Sequence, residues 1–245
     1  TATWQVSNSG NAYGFNASSQ EYLEANSPAF REDQDFTIEL WFKTNGVNQT
    51  ILSNGSIIEL ADASIYGNSE AWTIGTNGTG NIEVQSNFEV LTSIQTYTDN
   101  NWHHLALVKK DLATTNLFID GVEQASLSSD LFNGFGGAKL VLGAYKLTSS
   151  TTSSYSKYLD GAIDELRIWN KARTLSQINR DAHAKLMGNE NGLVAYYPFE
   201  TYALNEFYVY QTYNSLNDEH TNSELYAINN LSGNENFLNS DIPLI

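Results

Sequence analysis

The chain has 245 residues, 41% hydrophobic and 12% aromatic, which is enough apolar surface for a sizeable core in one or two domains. Its 28 acidic residues against 12 basic ones give a formal net charge of −16, which repels phosphate backbones and argues against a nucleic-acid partner. It contains no Cys and no apolar run of about 18 residues, so neither disulfides nor a membrane-inserted helix is expected.

Pro is scarce and Gly, Asn, Ser and Thr are abundant, so turns are made by Gly and Asn. Short strands are expected at 12–15 and 21–24. Residues 35–43 follow with strict alternation: Phe36, Ile38, Leu40 and Phe42 against Thr37, Glu39, Trp41 and Lys43. Period two predicts a half-buried strand. Thr50–Ser53 and 57–61 read as a hairpin around Asn54-Gly55. A second hairpin pairs 71–75 with 81–85 across Thr76-Asn-Gly-Thr-Gly80. Strands at 102–109, 116–119 and 122–125 come next. Asp120-Gly121 suits the positive φ angles of a two-residue type I′ turn, so the last two strands form a hairpin. Strands are also expected at 139–144, 158–169 and 193–199. Turn signals at short intervals between strands are the pattern of sandwiches and jelly rolls.

One helix interrupts the series. Thr174-Leu-Ser-Gln177 reads as a capping box. Ile178, Ala182 and Leu186 fall on one face, and Gly188 is placed to cap the C-terminus. Residues 1–200 are therefore read as one sandwich. Residues 201–245 are read as a final strand or two and an acidic extension, because positions 190–245 carry eight Asp or Glu and no Lys or Arg. The first residues, Thr1–Gln5, are neither basic nor followed by an apolar stretch, so a secretion signal would have to lie upstream.

The order of several pieces resembles the laminin G-like, concanavalin A-like jelly-roll domains of large exported bacterial proteins. The pieces are Phe36-Thr-Ile-Glu-Leu-Trp-Phe42, Trp102-His-His-Leu-Ala106, Leu117-Phe-Ile-Asp-Gly121, Leu159-Asp-Gly-Ala-Ile-Asp-Glu-Leu-Arg-Ile-Trp-Asn-Lys171, and Gly192-Leu-Val-Ala-Tyr-Tyr-Pro-Phe199. The resemblance implies an all-β fold of two antiparallel sheets with one short helix. It also implies a non-catalytic module, extracellular or at the cell surface, that binds a polysaccharide, a glycoconjugate or a cell-surface protein, as part of an adhesin or a modular enzyme. A structural spacer without a ligand is the alternative, since a fold does not fix a function.

Some relatives of the wider fold are glycoside hydrolases. Their carboxylates alternate along one strand, as in Glu-x-Asp-x-Glu, so that all face the cleft. Glu59-Leu-Ala-Asp62 and Asp160-Gly-Ala-Ile-Asp-Glu165 are the nearest runs here, and their spacing points carboxylates to opposite faces of a regular strand. Adjacent His103 and His104 likewise face opposite sides, which disfavours a shared metal.

Many members of the family hold calcium. By that resemblance Asp164, with backbone oxygens from Gly14, Asn16 and Gly46, is the candidate structural site. The alternative is that Asp164 stabilises a strand end through hydrogen bonds. Sugar binding needs aromatic faces and polar partners, and aromatic residues in polar loops are the ones to notice. Asp62, Tyr66, Trp72, Asn77, Tyr145 and Tyr155 are the candidate rim contacts, with Trp72 alternatively in the core. Trp41, Trp102 and Trp169 lie in strand motifs and are assigned to packing.

Overall fold

The computed structural model describes residues 10–25, 34–54, 58–59, 72–86, 89–111, 113–129, 131–132, 140–149, 153–199, 209–210, 225–228 and 237–240. In chain order the strands are β1 (Gly10–Phe15), β2 (Tyr22–Ala25), β3 (Phe36–Thr44), β4 (Thr50–Ser53), β5 (Ile58–Glu59), β6 (Trp72–Thr76), β7 (Asn81–Ser86), β8 (Val90–Thr96), β9 (His103–Lys110), β10 (Thr114–Ile119), β11 (Val122–Leu127), β12 (Leu140–Leu142), β13 (Tyr145–Ser149), β14 (Ser153–Ser156), β15 (Gly161–Trp169), β16 (Leu193–Tyr197), β17 (Val209–Tyr210), β18 (Leu225–Ile228) and β19 (Phe237–Ser240). The helix α1 (Leu175–Asp181) lies between β15 and β16.

The strands form two large antiparallel sheets, so the fold is a two-sheet jelly-roll sandwich. The first runs β11-β10-β9-β3-β15-β1-β19, with β16 also beside β15. The second runs β17-β18-β2-β12-β4-β6-β7-β8. One continuous core fills the space between them. Phe36, Ile38, Leu40 and Phe42 of β3 and Leu105 and Leu107 of β9 meet Leu52, Ile74, Val84 and Leu142 of the second sheet. Alternation puts these residues on one face of each strand, and their burial is the main stabilising term of the fold. The expected type I′ turn is present: Asp120 and Gly121 have φ of 52° and 72°, and Ile119 pairs with Val122 across them.

Four expectations are corrected. β3 is buried on both faces rather than one, because α1 and the chain after it lie over its outer side. β5 does not form a hairpin with β4: it pairs in parallel with β13, in a three-stranded sheet β14-β13-β5. The Ser/Thr-rich stretch 148–154, which reads from the sequence as a loop between Tyr145 and Tyr155, begins and ends in the paired strands β13 and β14. The helix ends at Asp181 with Ala182 as its cap, short of Gly188. The capping box is present as expected: the Thr174 hydroxyl accepts from the Gln177 N–H, and the Gln177 side chain accepts from the Thr174 N–H.

The acidic C-terminal stretch contributes to both sheets. β18 pairs with β2 in the second sheet, and β19 pairs with β1 in the first.

Candidate functional site

Two outer faces of the sandwich differ sharply in what they offer. On the first sheet, β3 presents Glu39 and Trp41 outward and β15 presents Arg167 and Trp169. A bulge in β15 places Asp164 opposite Trp41 and Arg167 opposite Glu39, with Glu165 in a left-handed conformation at φ 52°. Glu165 thereby reaches Arg167 at 2.5 Å and accepts from the Tyr196 hydroxyl at 2.8 Å. Arg173, just before α1, donates to Glu39 at 2.5 Å and also pairs with Asp181. The Arg173 guanidinium lies 4.0 Å from the centroid of the Trp169 ring. Arg167 donates to the carbonyls of Asp181 and Ala184, and the Trp41 indole donates to that of Ala182. Side chains from the sheet thus take the carbonyls at the end of α1, which accounts for its early stop.

Glu39 and Arg167 are fully buried and Glu165 is nearly so. Burial pushes the Glu39 carboxyl above its ordinary range, and the Arg173 and Arg167 guanidiniums pull it partly back. Burial, reinforced by Arg167, drives His104 well below its ordinary value, so its ring is neutral beside Glu39 at 3.6 Å. These charges face one another and dock the helix onto the sheet. The face is closed.

The outer face of the second sheet is half open. The strand registers align Glu24, Val141, Ser53, Thr73, Gln85 and Val90 in one row across β2, β12, β4, β6, β7 and β8. Glu24, Val141 and Ser53 are buried, because the β13–β14 hairpin lies over them. Lys146 of β13 donates to Glu24 at 3.1 Å, and the Tyr155 hydroxyl of β14 donates to the same oxygen at 2.8 Å. The Tyr155 ring stacks on Tyr22, with centroids 4.1 Å apart, and Tyr158 packs beside them. Burial, with Tyr22 and Glu24 beside it, raises the Tyr155 phenol far above its ordinary value, so it stays a donor.

Beyond the hairpin the row emerges from cover. Thr73 is half-buried, Gln85 is exposed and Val90 is 47% exposed. A second row, Gly75, Glu83 and Thr92, runs beside it. The result is a strip of hydroxyl, amide and carboxylate groups on adjacent strands, edged by the exposed Val90. Such a strip can exchange hydrogen bonds with the hydroxyls of a saccharide laid across the strands.

The expected contacts distribute unevenly around this strip. Asp62 and Tyr66 lie outside the described residues. Trp72 is 1% exposed and meets Phe132 edge-on in the core, so its ring is closed to a ligand. Asn77 sits at the end of the strip. Its side-chain oxygen accepts from the N–H groups of Thr79 and Asn81, which shapes the β6–β7 turn, and its amide reaches Glu83 at 3.5 Å. Tyr145 and Tyr155 share the hairpin but not a face, because Tyr155 is the cross-strand partner of Lys146 while Tyr145 pairs with Ser156. Tyr145 is half-buried, with the Lys157 ammonium 5.6 Å from its ring centroid. Trp41 and Trp169 are buried as assigned, while Trp102 is half-buried beside Lys43. Thr73, Glu83 and Gln85 were not singled out by sequence, although the alternation of Glu83 and Gln85 with Ile82 and Val84 carried the signal for an outward face.

The residues expected to hold calcium do not converge. Asp164 is 3% exposed, and its Oδ1 accepts the N–H of Glu165 within the bulge. It lies opposite Trp41, whereas Gly46 lies beyond Thr44, which faces Gly161. Trp41 and Thr44 are three ladder positions apart, about 10 Å of strand, and Gly46 is two residues further on. The Gly46 carbonyl accepts from the Thr76 hydroxyl, and the Asn16 carbonyl accepts from the N–H groups of Ser19 and Glu21. Gly14 lies in the β1–β15 ladder opposite Ala162. These oxygens do not gather into the six to eight that calcium takes, and the described residues contain no cluster of three or more His, Asp or Glu fit for a metal.

The sequence pattern of the concanavalin A-like lectin/glucanases superfamily, in its laminin G type, matches residues 17–179. No curated protein sequence matches the chain. Among solved structures it is similar to a Bacteroides ovatus protein described as carbohydrate-binding, at 17% identity and a TM-score of 0.67. The similarity covers 96% of this chain and 61% of that one, so the chain spans less than two thirds of the length of that relative. It is also similar to a heptameric SAP-like pentraxin of Limulus polyphemus, at 14% identity and a TM-score of 0.53, over 71% of this chain and 82% of that one. At these identities the structural likeness speaks to the fold alone. Fold and sequence pattern agree: the chain belongs to the laminin G-like branch of the concanavalin A-like lectin/glucanases superfamily.

Proposed function

We propose that the chain is a non-catalytic, glycan-binding module of an exported or cell-surface protein, and that the open strip of the second sheet is its contact surface. The observation that carries this reading is the contrast between the outer faces: one closed over β3, β15 and β16 by buried ion pairs, the other leaving Thr73, Glu83, Gln85 and Thr92 half-buried or exposed on neighbouring strands.

The carboxylates support binding without cleavage. In the two rows they are Glu24 and Glu83, on β2 and β7, which stand four strand steps apart. At ~4.8 Å per step that is about 19 Å, well beyond the roughly 5–10 Å that paired carboxylates need to act on one glycosidic bond. Glu24 is further tied up by Lys146 and Tyr155. In the run Asp160–Glu165, Asp164 and Glu165 are buried in structural roles.

A glycan array followed by titration calorimetry tests the reading. One saccharide class is expected to bind, and Gln85→Ala is expected to weaken that binding about tenfold or more with the melting temperature unchanged, as loss of an exposed polar contact should. Binding to no saccharide would favour a spacer, and release of reducing ends from a polysaccharide would replace the reading with a hydrolase.

A further inference from the structure

His103 stands where the end of the core meets solvent. Its ring packs on Phe42 and against the edge of Tyr97, with centroids 5.8 and 4.9 Å away. Its nitrogens point at carboxylates from two different segments: Nδ1 lies 2.8 Å from Asp120 and Nε2 lies 3.0 Å from Asp99. A neutral imidazole has one N–H and one lone pair, and only the protonated ring can donate to both acids. The geometry therefore describes an imidazolium clasp joining the 97–102 turn to the β10–β11 hairpin.

We propose that this clasp is a pH-operated latch: protonated His103 ties the 97–102 turn to the sandwich, and deprotonated His103 keeps Asp120 but releases Asp99. The two arms differ in their other partners. Asp120 occupies the tight hairpin turn, and its other oxygen accepts the His104 N–H at 2.9 Å. Asp99 is anchored within its own turn, where its oxygens accept from the Asn101 backbone and side chain. When the ring loses one proton, the remaining N–H stays on Asp120, the nearer of the two acids at 2.8 Å against 3.0 Å. The Nε2 lone pair then faces the Asp99 carboxylate, and attraction becomes repulsion.

The surroundings agree with this direction. Burial alone would lower the pKa of His103, but the hydrogen bonds and charges of Asp120 and Asp99 outweigh it and hold the ring above its ordinary value. Asp99 is held down to about 2, first by the Asn101 N–H, so it remains a carboxylate throughout. Tyr97 is pushed up to about 12, chiefly by burial, so it does not titrate in the same range.

The released segment is more than a surface turn. The Tyr97 N–H donates to Gly80 and the Asn100 N–H donates to Thr44. The turn thus stitches together the β6–β7 turn and the end of β3 at one end of the sandwich. It leads directly into Trp102, which is half-buried beside Lys43. Opening the latch loosens that end and changes the environment of Trp102. The inference stands apart from the glycan reading, since none of these groups lies on the open strip.

NMR of the whole chain tests it, by following the ring C–H signals of its four histidines and the indole N–H of Trp102 from pH 5 to 9. The expected result is a His103 midpoint above the ordinary value of about 6.5, with the Trp102 signal moving at the same midpoint. Asp120→Asn preserves the turn, since Asn-Gly also suits type I′, and Asp99→Asn preserves an acceptor for Asn101. Each is expected to lower the His103 midpoint by about one pH unit and to carry the Trp102 transition down with it. A His103 midpoint at or below the ordinary value would overturn the proposal. So would a Trp102 signal that does not respond across the His103 titration, or midpoints unmoved in both variants.

Discussion

At the scale of single residues, chemistry that looks alike in the sequence is used in opposite ways. Trp72 opens a strand after a polar loop, which is where a sugar platform would be expected, and the structure puts its ring in the core. Trp72→Ala is therefore expected to cost roughly 3–5 kcal/mol of stability, read as a lower denaturant midpoint. Tyr145→Ala, at a half-buried ring, is expected to cost much less. Equal costs would show that Trp72 is not a core residue. The difference was not legible in the sequence because burial of a strand-end side chain depends on Phe132, sixty positions away, and not on its neighbours in the chain. Glu39 carries the same lesson. Alternation places it correctly on the outer face of β3, but only α1, folded back over that face, turns an outward carboxylate into a buried one.

At the scale of elements, local signals were read well and long-range pairings were not. The capping box of α1 and the Asp120-Gly121 turn follow from residues within four positions of one another, and both are present. The stop of α1 depends on Arg167 and Trp41 reaching its last carbonyls, and nothing within the helical sequence announces that. β8 escaped notice because its outward positions, Val90, Thr92 and Ile94, mix apolar and polar residues at the edge of the second sheet. The bulge in β15 also bears on calcium. A calcium ion bound only by the folded chain would raise its melting temperature by mass action. Asp164→Asn is expected to leave any gap between calcium and chelator unchanged, because the Asp164 carboxylate serves the bulge and lies apart from Gly46. Loss of a calcium-dependent increment in that variant would return Asp164 to the ligand set.

At the scale of the whole molecule, the two outer faces of the sandwich differ: one holds α1, and the other carries the strip proposed as the contact surface. The first sheet spends its outward charges on holding α1, and the ion pairs there are costly to break one partner at a time. The β13–β14 hairpin covers β2 and β12 of the second sheet, and beyond it the outer face exposes polar side chains with Val90 and Ile94 among them. The all-β class was legible from alternation and turn residues, and the two antiparallel sheets from the family resemblance. The open strip was not, because the rows that define it join residues from strands β2 through β8, and their register exists only once the sheet has formed.

The most direct test of this account is to map a bound saccharide by the backbone amide shifts it causes in the NMR spectrum of the chain. The account expects the largest changes at Thr73, Glu83, Gln85 and Thr92, with Glu39, Arg167 and the residues of α1 unmoved. Changes concentrated on the helix-covered face, with the strip silent, would contradict it.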